Sequence, residues 1–226
     1  EVIEGYDGYN DNATRSFLFG YAIPFTHTGV KLSYPFSERA SGMLYLVNGW
    51  DNATDNNADK SVGAQLGVTP AATFSAYANA LYGAERSDDS GDGRLILDGV
   101  ATWKPTARVA LGLNADYGRE KNAVVDEVAP ASDAAWSGAA LYVRYGVCER
   151  FALTARGETF KDRNGIRTGV PQRLTGFTLT PELTVAPGVI VRADLRYDHS
   201  DEKVFESDGP AKDHQATLLL NALIAF

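Results

Sequence analysis

Apolar residues recur at every second position along most of the chain, and the final stretch shows this pattern most clearly. In residues 214–226, Leu218, Leu220, Ala222 and Ile224 share one side, and the opposite side includes Asn221. A period of two predicts a β-strand with one apolar face. The strand is long enough to cross a bilayer, for which about 9–11 tilted residues suffice, and the closing strand of a soluble barrel is the alternative.

The same alternation predicts eleven strands between residues 29 and 226, connected alternately by short turns and long polar loops. The turns are expected at Pro35, Pro70, Pro105, Cys148 and Pro187, and the loops at residues 50–60, 84–93, 118–133, 161–172 and 200–213. This order predicts an all-β fold, a transmembrane antiparallel up-and-down β-barrel with 11–12 strands in this chain. Because single-chain bacterial barrels have even strand numbers, a twelfth strand is expected. Residues 14–22 could supply it, but residues 1–5, as the end of a strand that begins earlier, are favoured, because residues 16–29 do not alternate cleanly and include Pro24.

The strand at residues 189–198 separates a membrane barrel from a soluble one. Arg192, Asp194, Arg196 and Asp198 follow one another on one face, while Val191 lies on the other. A soluble core could not bury four such charges cheaply, so this face is expected to contact water in a lumen. Applied to every strand, the alternation predicts these lumen-lining residues: Lys31, Asp98, Asp116, Arg144, Arg156, Glu158, Arg192, Asp194, Arg196 and Asp198.

Aromatic residues are concentrated near both ends of the predicted strands. Tyr34, Trp103 and Tyr145 lie near short turns, and Tyr117 and Tyr197 lie near long loops. Two such bands are typical of the two interfaces of a membrane barrel. Outer-membrane barrels have short periplasmic turns, so the turns and the carboxyl end are expected on the periplasmic side. The terminal aromatic residue, Phe226, resembles the signal by which such barrels are recognised for membrane insertion.

Composition agrees with a barrel whose strands are half polar. The 226 residues are 44% hydrophobic, with a mean hydropathy of −0.22, and contain no apolar run long enough for a transmembrane helix. The net charge is −8, and the acidic residues are concentrated in the long loops. Loops of this charge facing an anionic leaflet are expected to need divalent cations as bridges to lipopolysaccharide. With a single cysteine, Cys148, the chain cannot form an internal disulfide.

The amino-terminal segment is expected to differ from the rest of the chain. Residues 1–28 are predicted to be the end of a strand followed by a long outside loop, and residues 29–226 the barrel strands. Phe17, Phe19, Tyr21 and Phe25 are too apolar for a loop in water. The segment is therefore expected to fold into the lumen and to narrow it.

Candidate chemical sites are weak. Asp198, His199 and Ser200 offer an acid, a base and a nucleophile, but adjacent strand residues point to opposite faces and cannot form a relay unaided. Weak calcium candidates are Asp51, Asp55, Asp88 and Asp92; their runs lack the full spacing of a calcium loop, and solvated loops are favoured. No motif for a metal, haem, nucleotide or other cofactor is present, so we expect neither a cofactor nor an enzyme.

Four stretches carry a family resemblance. The opening Glu-Val-Ile-Glu, residues 15–29 (Arg-Ser-Phe-Leu-Phe-Gly-Tyr-Ala-Ile-Pro-Phe-Thr-His-Thr-Gly), residues 33–35 (Ser-Tyr-Pro) and residues 47–52 (Val-Asn-Gly-Trp-Asp-Asn) resemble the OmpL-like group, the second beta-barrel porin family. The match is strong over roughly the first quarter of the chain and architectural beyond it. It implies a passive channel, and it implies that the chain is the carboxy-terminal part of a larger barrel.

The sequence thus predicts a porin-like channel in the outer membrane of a Gram-negative bacterium that passes small polar solutes or ions. The alternative is a structural barrel that sheathes or anchors a partner, such as an electron conduit or a surface layer. The expected partners are the lipid bilayer, lipopolysaccharide and the barrel-assembly machinery, with a homo-oligomer also allowed. Nucleic acid is not expected.

Overall fold

The protein folds as one antiparallel sheet of eleven strands. The computed structural model describes residue 4 and residues 10–57, 59–124 and 130–225. The strands are β1 (Gly29–Ser37), β2 (Ala40–Val47), β3 (Ser61–Ala71), β4 (Phe74–Ala84), β5 (Gly93–Thr106), β6 (Val109–Val124), β7 (Ser132–Cys148), β8 (Phe151–Asp162), β9 (Gln172–Ala186), β10 (Val189–Ser200) and β11 (His214–Ile224). Within the described residues, no helix is long and apolar enough to span a membrane.

Each strand pairs with its neighbours in sequence, which confirms the predicted all-β, up-and-down order and the eleven strands after residue 28. Two-residue turns join the strands at one end of the sheet, and the long loops lie at the other. No pairing in the described part of the chain joins β1 to β11, so the sheet is open. Because eleven alternating strands leave β1 and β11 running in the same direction, the two could join directly only as a parallel pair.

The short turns lie a few residues beyond three of the prolines expected to form them. Pro35, Pro70 and Pro105 lie inside the ends of β1, β3 and β5, and the turns follow at residues 38–39, 72–73 and 107–108. The pairing register shifts next to each of these prolines. Proline has no N–H for the ladder, so it is accommodated where pairing is irregular. At Pro187-Gly188, by contrast, the turn is where the sequence places it, and Gly188 has a positive φ of 74°.

The central strands are longer than predicted. Residues 118–133 were expected to form a loop, but β6 continues to Val124 and β7 begins at Ser132. Polar pairs hold this extension: Arg94 pairs with Glu120 at 2.8 Å, and Arg119 pairs with Asp133. Polar strand residues beyond the membrane carry no apolar alternation, so the sequence pattern could not reveal them.

The two faces of the sheet have opposite character. On β10, Val191 and Leu195 are 40% and 49% exposed, while Arg192, Asp194 and Asp198 are at most 4% exposed. The side chains that a soluble protein would bury are therefore on the outside, and the charged ones are inside. We call these the outer face and the inner face; the inner face is the one covered by residues 10–28.

Candidate functional site

Residues 10–28, which we call the inner segment, lie against the inner face of β6–β10. At its centre is a five-residue π-helical turn, Leu18–Ala22, in which Leu18 and Ala22 are fully buried. The Trp136 indole N–H of β7 donates to the Ala22 carbonyl at 3.0 Å. Trp136 fits there because its ring lies over Gly118, where a Cβ atom would come within 1.9 Å of the ring.

Arg156 on β8 is the main anchor of the inner segment, and it is fully buried. Its guanidinium pairs with Glu4 at 2.8 Å and with Glu158 at 3.0 Å. It also donates to the Thr14 carbonyl at 2.7 Å and the Arg15 carbonyl at 3.1 Å. Because a guanidinium has five N–H donors in a fixed plane, one side chain can hold two carboxylates and two backbone carbonyls together.

A second anchor joins β8 and β10 to the aromatic part of the segment. The Phe17 backbone N–H donates to Glu158 at 2.5 Å, and the Arg196 guanidinium lies 4.8 Å from the centre of the Phe17 ring. Arg196 also pairs with Asp198 at 2.8 Å and donates to the Arg15 carbonyl at 2.5 Å. The charges of the inner face therefore contact the inner segment as well as one another.

Residues 10–14 of the inner segment contact other charged residues of β7–β10. Thr14 donates to Asp194 through its backbone N–H at 2.6 Å and its hydroxyl at 2.7 Å. Arg144 contacts Asp11 at 3.2 Å and Glu182 at 2.6 Å, and Arg192 donates to the Asn10 carbonyl. The pKa of Asp11 is raised because burial disfavours its charged form.

The four aromatic residues expected in a constriction take two different positions. Phe17 is 7% exposed and packs between the Arg196 guanidinium and Tyr21, whose ring also lies 5.7 Å from that of Phe160. Phe19 and Phe25 pair with each other at 5.5 Å and line a cavity on the inner side of the sheet. Phe17 thus joins the segment to the sheet, while Phe19 and Phe25 face open space.

That cavity, about 730 Å³, lies between the inner segment and the inner face of β1–β5, and we call it the chamber. Phe19, Phe25, Met43, Tyr45, Val47, Leu81 and Ile96 form most of its apolar wall, and His27, Lys31, Gln65, Asn79 and Asp98 are its polar side chains. Burial lowers the pKa of His27 below its ordinary value of 6.5. A second cavity of about 240 Å³ lies further along the strands, between residues 10–12 and β4–β7.

A tryptophan–arginine cluster at the loop end was not predicted. The rings of Trp50 and Trp136 meet edge to face at 6.0 Å, and the Arg167 guanidinium lies 4.7 Å from the first and 5.3 Å from the second. Arg94 lies 4.9 Å from Trp50. Burial and the nearby charge of Arg94 lower the pKa of Arg167. The signal available in the sequence was Trp50, an aromatic residue at the start of a polar loop.

The calcium candidates are bonded to protein groups. Asp51 accepts the backbone N–H groups of Phe25 and Thr26 at 2.5 and 2.7 Å, Asp55 pairs with Lys60, and Asp92 pairs with Arg86. Asp88 lies in the same loop as Asp92 with a positive φ of 58°. The described residues contain no group of three or more His, Cys, Asp or Glu side chains placed to hold a metal ion.

Two other predicted features can be located. Asp198 and Ser200 lie on the inner face, where Ser200 donates to Gln172 at 2.8 Å, whereas His199 lies on the opposite face. The three residues therefore do not meet as a catalytic relay. Phe226 and the expected strand end at residues 1–5, apart from Glu4, lie outside the described residues.

Solved outer-membrane channels have a similar fold. The NanC porin aligns over 87% of this chain and 91% of its own, with a TM-score of 0.51 and 12% identity. The outer membrane channel DcaP of Acinetobacter baumannii aligns over 87% of this chain and 61% of its own, with a TM-score of 0.63 and 13% identity. At such identities the likeness concerns the fold alone. No curated protein matches the chain.

The family comparison is more specific. The model of the family described as "Putative beta-barrel porin-2, OmpL-like" matches residues 1–226, the whole chain and not only the first quarter that carries the motifs. With a porin fold, a charged inner face and an apolar outer face, this match places the protein in the bacterial outer membrane. The chain belongs to the OmpL-like family of outer-membrane beta-barrel porins.

Proposed function

We propose that the chain forms the wall of a passive channel for small polar solutes and ions, and that the inner segment is its constriction. The observation that carries the proposal is the unequal filling of the inner face. The inner segment contacts β7–β10 through Arg156, Arg196 and Asp194, while the chamber of about 730 Å³ remains open beside β1–β5. A lumen that is half filled by its own chain suits a narrow pore rather than a wide one.

The charge distribution supports weak ion selectivity. The predicted lumen-lining set contains five basic and five acidic residues, so the wall as a whole has little net charge. The acidic loops at the opposite end of the sheet from the short turns would oppose anions before they reached the wall. The pore should therefore admit small polar solutes of either charge, with the mouth adding a modest preference for cations.

Conductance in planar bilayers tests this function. The parent chain should give discrete single-channel steps, and deleting residues 13–22 should raise the conductance, because it removes the buried turn together with its contacts to Arg156 and Trp136. Deleting residues 206–211 from the exposed last loop is the control and should leave the conductance nearly unchanged. Equal conductance for the parent and the segment deletion would reject the constriction.

The sheath alternative makes a different prediction. The chamber, about 730 Å³, has the size of a small-molecule site, and the inner segment occupies the place that an enclosed protein would need. We therefore expect the chain to conduct when purified alone. A protein that co-purifies stoichiometrically with a non-conducting chain would favour the sheath.

Contacts with lipopolysaccharide and with the assembly machinery belong to the same proposal. The acidic loops would bind the anionic outer leaflet through divalent cations, and the apolar face of β11 together with Phe226 would serve as the insertion signal. Chelation should then increase loop proteolysis in membranes that contain lipopolysaccharide, and not in membranes that lack it. If the chelator changes loop cleavage in neither membrane, divalent cations do not link the loops to lipopolysaccharide.

A further inference from the structure

A row of polar side chains crosses the inner face of β3–β6 at one level. Gln65, Asn79, Asp98 and Asp116 are paired in register from strand to strand. Gln65 donates to Asn79 at 2.7 Å, and Asn79 donates to one oxygen of Asp98 at 2.5 Å. Asn114 donates to the other oxygen at 2.8 Å. Two amide side chains, themselves supported by Gln65 through Asn79, thus fix the Asp98 carboxylate at the wall of the chamber.

Asp116 has no such support. It is 4% exposed, and neither carboxylate oxygen has a hydrogen-bond partner within the described residues. Its cross-strand neighbour is Asp98, another carboxylate, and no Lys or Arg of the described chain forms an ion pair with either. Like charges directly opposite on a sheet are destabilising, and a buried carboxylate without a partner is costly. Within the described residues, no cation therefore neutralises the negative charge of this pair.

The inner segment makes this part of the lumen different from the rest. Within the described residues, its Asp11 pairs with Arg144 of β7, and Arg156 and Arg192 of β8 and β10 donate to its backbone carbonyl groups. On the other side, the nearest basic residues of the chamber are Lys31 and His27 on or next to the first strand. The segment thus covers the arginine-rich half of the inner face, while Asp98 lines the open chamber and Asp116 lies buried next to it on β6.

The chamber has the other features of a binding site. Its volume lies in the range of small-molecule sites, and its wall is mostly apolar, with Phe19, Phe25 and Tyr45 as aromatic members. Asp98 joins this apolar wall to the acidic pair. Aromatic faces and carboxylates together are the groups that recognise an organic cation, since the rings attract the positive charge and pack against an apolar body.

We propose that the chamber binds organic ammonium compounds, with the ammonium group at Asp98, whose cross-strand neighbour is the buried Asp116, and an apolar or aromatic body against Phe19, Phe25 and Tyr45. The site rests on the proposed channel, because such a compound would enter through the lumen. Binding itself can be measured without conduction, so the two proposals can fail separately. A neutral compound of the same shape would leave the acidic pair uncompensated and should bind poorly.

Calorimetric titration of the full chain in non-ionic detergent tests the proposal with 2-phenylethylammonium as the probe and 2-phenylethanol as its neutral match. The ammonium compound should bind, and the alcohol should bind at least about five-fold more weakly, because one unit charge about 4 Å away contributes about 1 kcal/mol even at the dielectric constant of water. Asp98→Asn and Asp116→Asn should each remove about this five-fold preference. Glu38→Gln, which removes the same charge from an exposed turn, should leave it unchanged.

Two further measurements guard against a misfolded variant. Asp116→Asn should keep or raise thermal stability, because it neutralises a buried carboxylate that has no donor. Phe25→Ala changes no charge, and it should weaken both probes while keeping their ratio. Equal binding of the two probes by the parent, or an unchanged preference in both Asn variants, would overturn the site. Binding without conductance would retain the site and reject the channel.

Discussion

Replacing Arg156 by methionine should release the inner segment while leaving the barrel strands paired. The methionine keeps the apolar stem but leaves Glu4 and Glu158 without their shared cation, in a place where Arg156 is fully buried. Breaking a buried pair by removing one partner costs about 3–5 kcal/mol. The strands themselves keep their ladder hydrogen bonds, so the loss falls on the docking of the segment.

A loss of about 3 kcal/mol lowers the ratio of docked to released segment by roughly 100-fold, since each 1.4 kcal/mol is a factor of ten. Single-channel recordings should then show a higher mean conductance with frequent transitions, and protease should cut within residues 10–28. Arg150→Met, at an exposed turn, is the matched control and should behave like the parent. Adding Glu4→Gln to Arg156→Met should recover part of the loss, because it removes the buried carboxylate that Arg156 neutralised, whereas Glu158 keeps its pair with Arg196. Identical recordings for Arg156→Met and Arg150→Met would refute the role of Arg156 as an anchor.

Three other perturbations test separate parts of the account. Leu220→Arg should destabilise the barrel by about 2–4 kcal/mol near the middle of the bilayer, measured by unfolding in liposomes, whereas Leu220→Ala should cost much less; equal stability would mean that Leu220 does not face lipid. Changing Asp88, Asp89 and Asp92 to Asn should shift the reversal potential in a salt gradient toward that of an anion-selective pore. An unchanged reversal potential would mean that the acidic loops do not contribute to ion selectivity. Because the folded-state pKa of His27 is lowered, its neutral form stabilises the packing of the segment; this stability is complete above pH 6.5 and is lost as the pH falls through the lowered pKa. Protease sensitivity of residues 10–28 should therefore rise in acid for the parent and change less for His27→Gln, and a parent insensitive to pH would contradict this.

The architecture could be predicted because each strand repeats the same signal. On β10, apolar residues such as Val191 alternate with charged residues such as Arg192. This alternation indicates which side chains face outward and which face inward, without any knowledge of contacts. The strand ends were less accurate. Residues 118–124 and 132–133 extend β6 and β7, and ion pairs such as Arg119 with Asp133 join the extensions. These residues do not alternate between apolar and polar, so the sequence pattern does not predict that they form strands.

The inner contacts could not be predicted from the pattern. Alternation suggested that Arg196 and Asp198 would interact along their strand, and they do, at 2.8 Å. It could not show that Arg156 would hold Glu4, 152 residues earlier, or that Asp98 would be supported by Asn79 and Asn114. Such contacts depend on which strands curve toward the segment, which is a property of the whole sheet.

Solute entry into liposomes is the most direct measurement of the central claim. Liposomes containing the purified chain should swell in small uncharged polar solutes, and the rate should fall steeply as solute size increases, because the inner segment narrows the lumen. The segment deletion of residues 13–22 should extend swelling to larger solutes. Liposomes that contain correctly folded chain yet swell no faster than lipid alone, for the parent and for the deletion, would contradict the account of this protein as a passive channel.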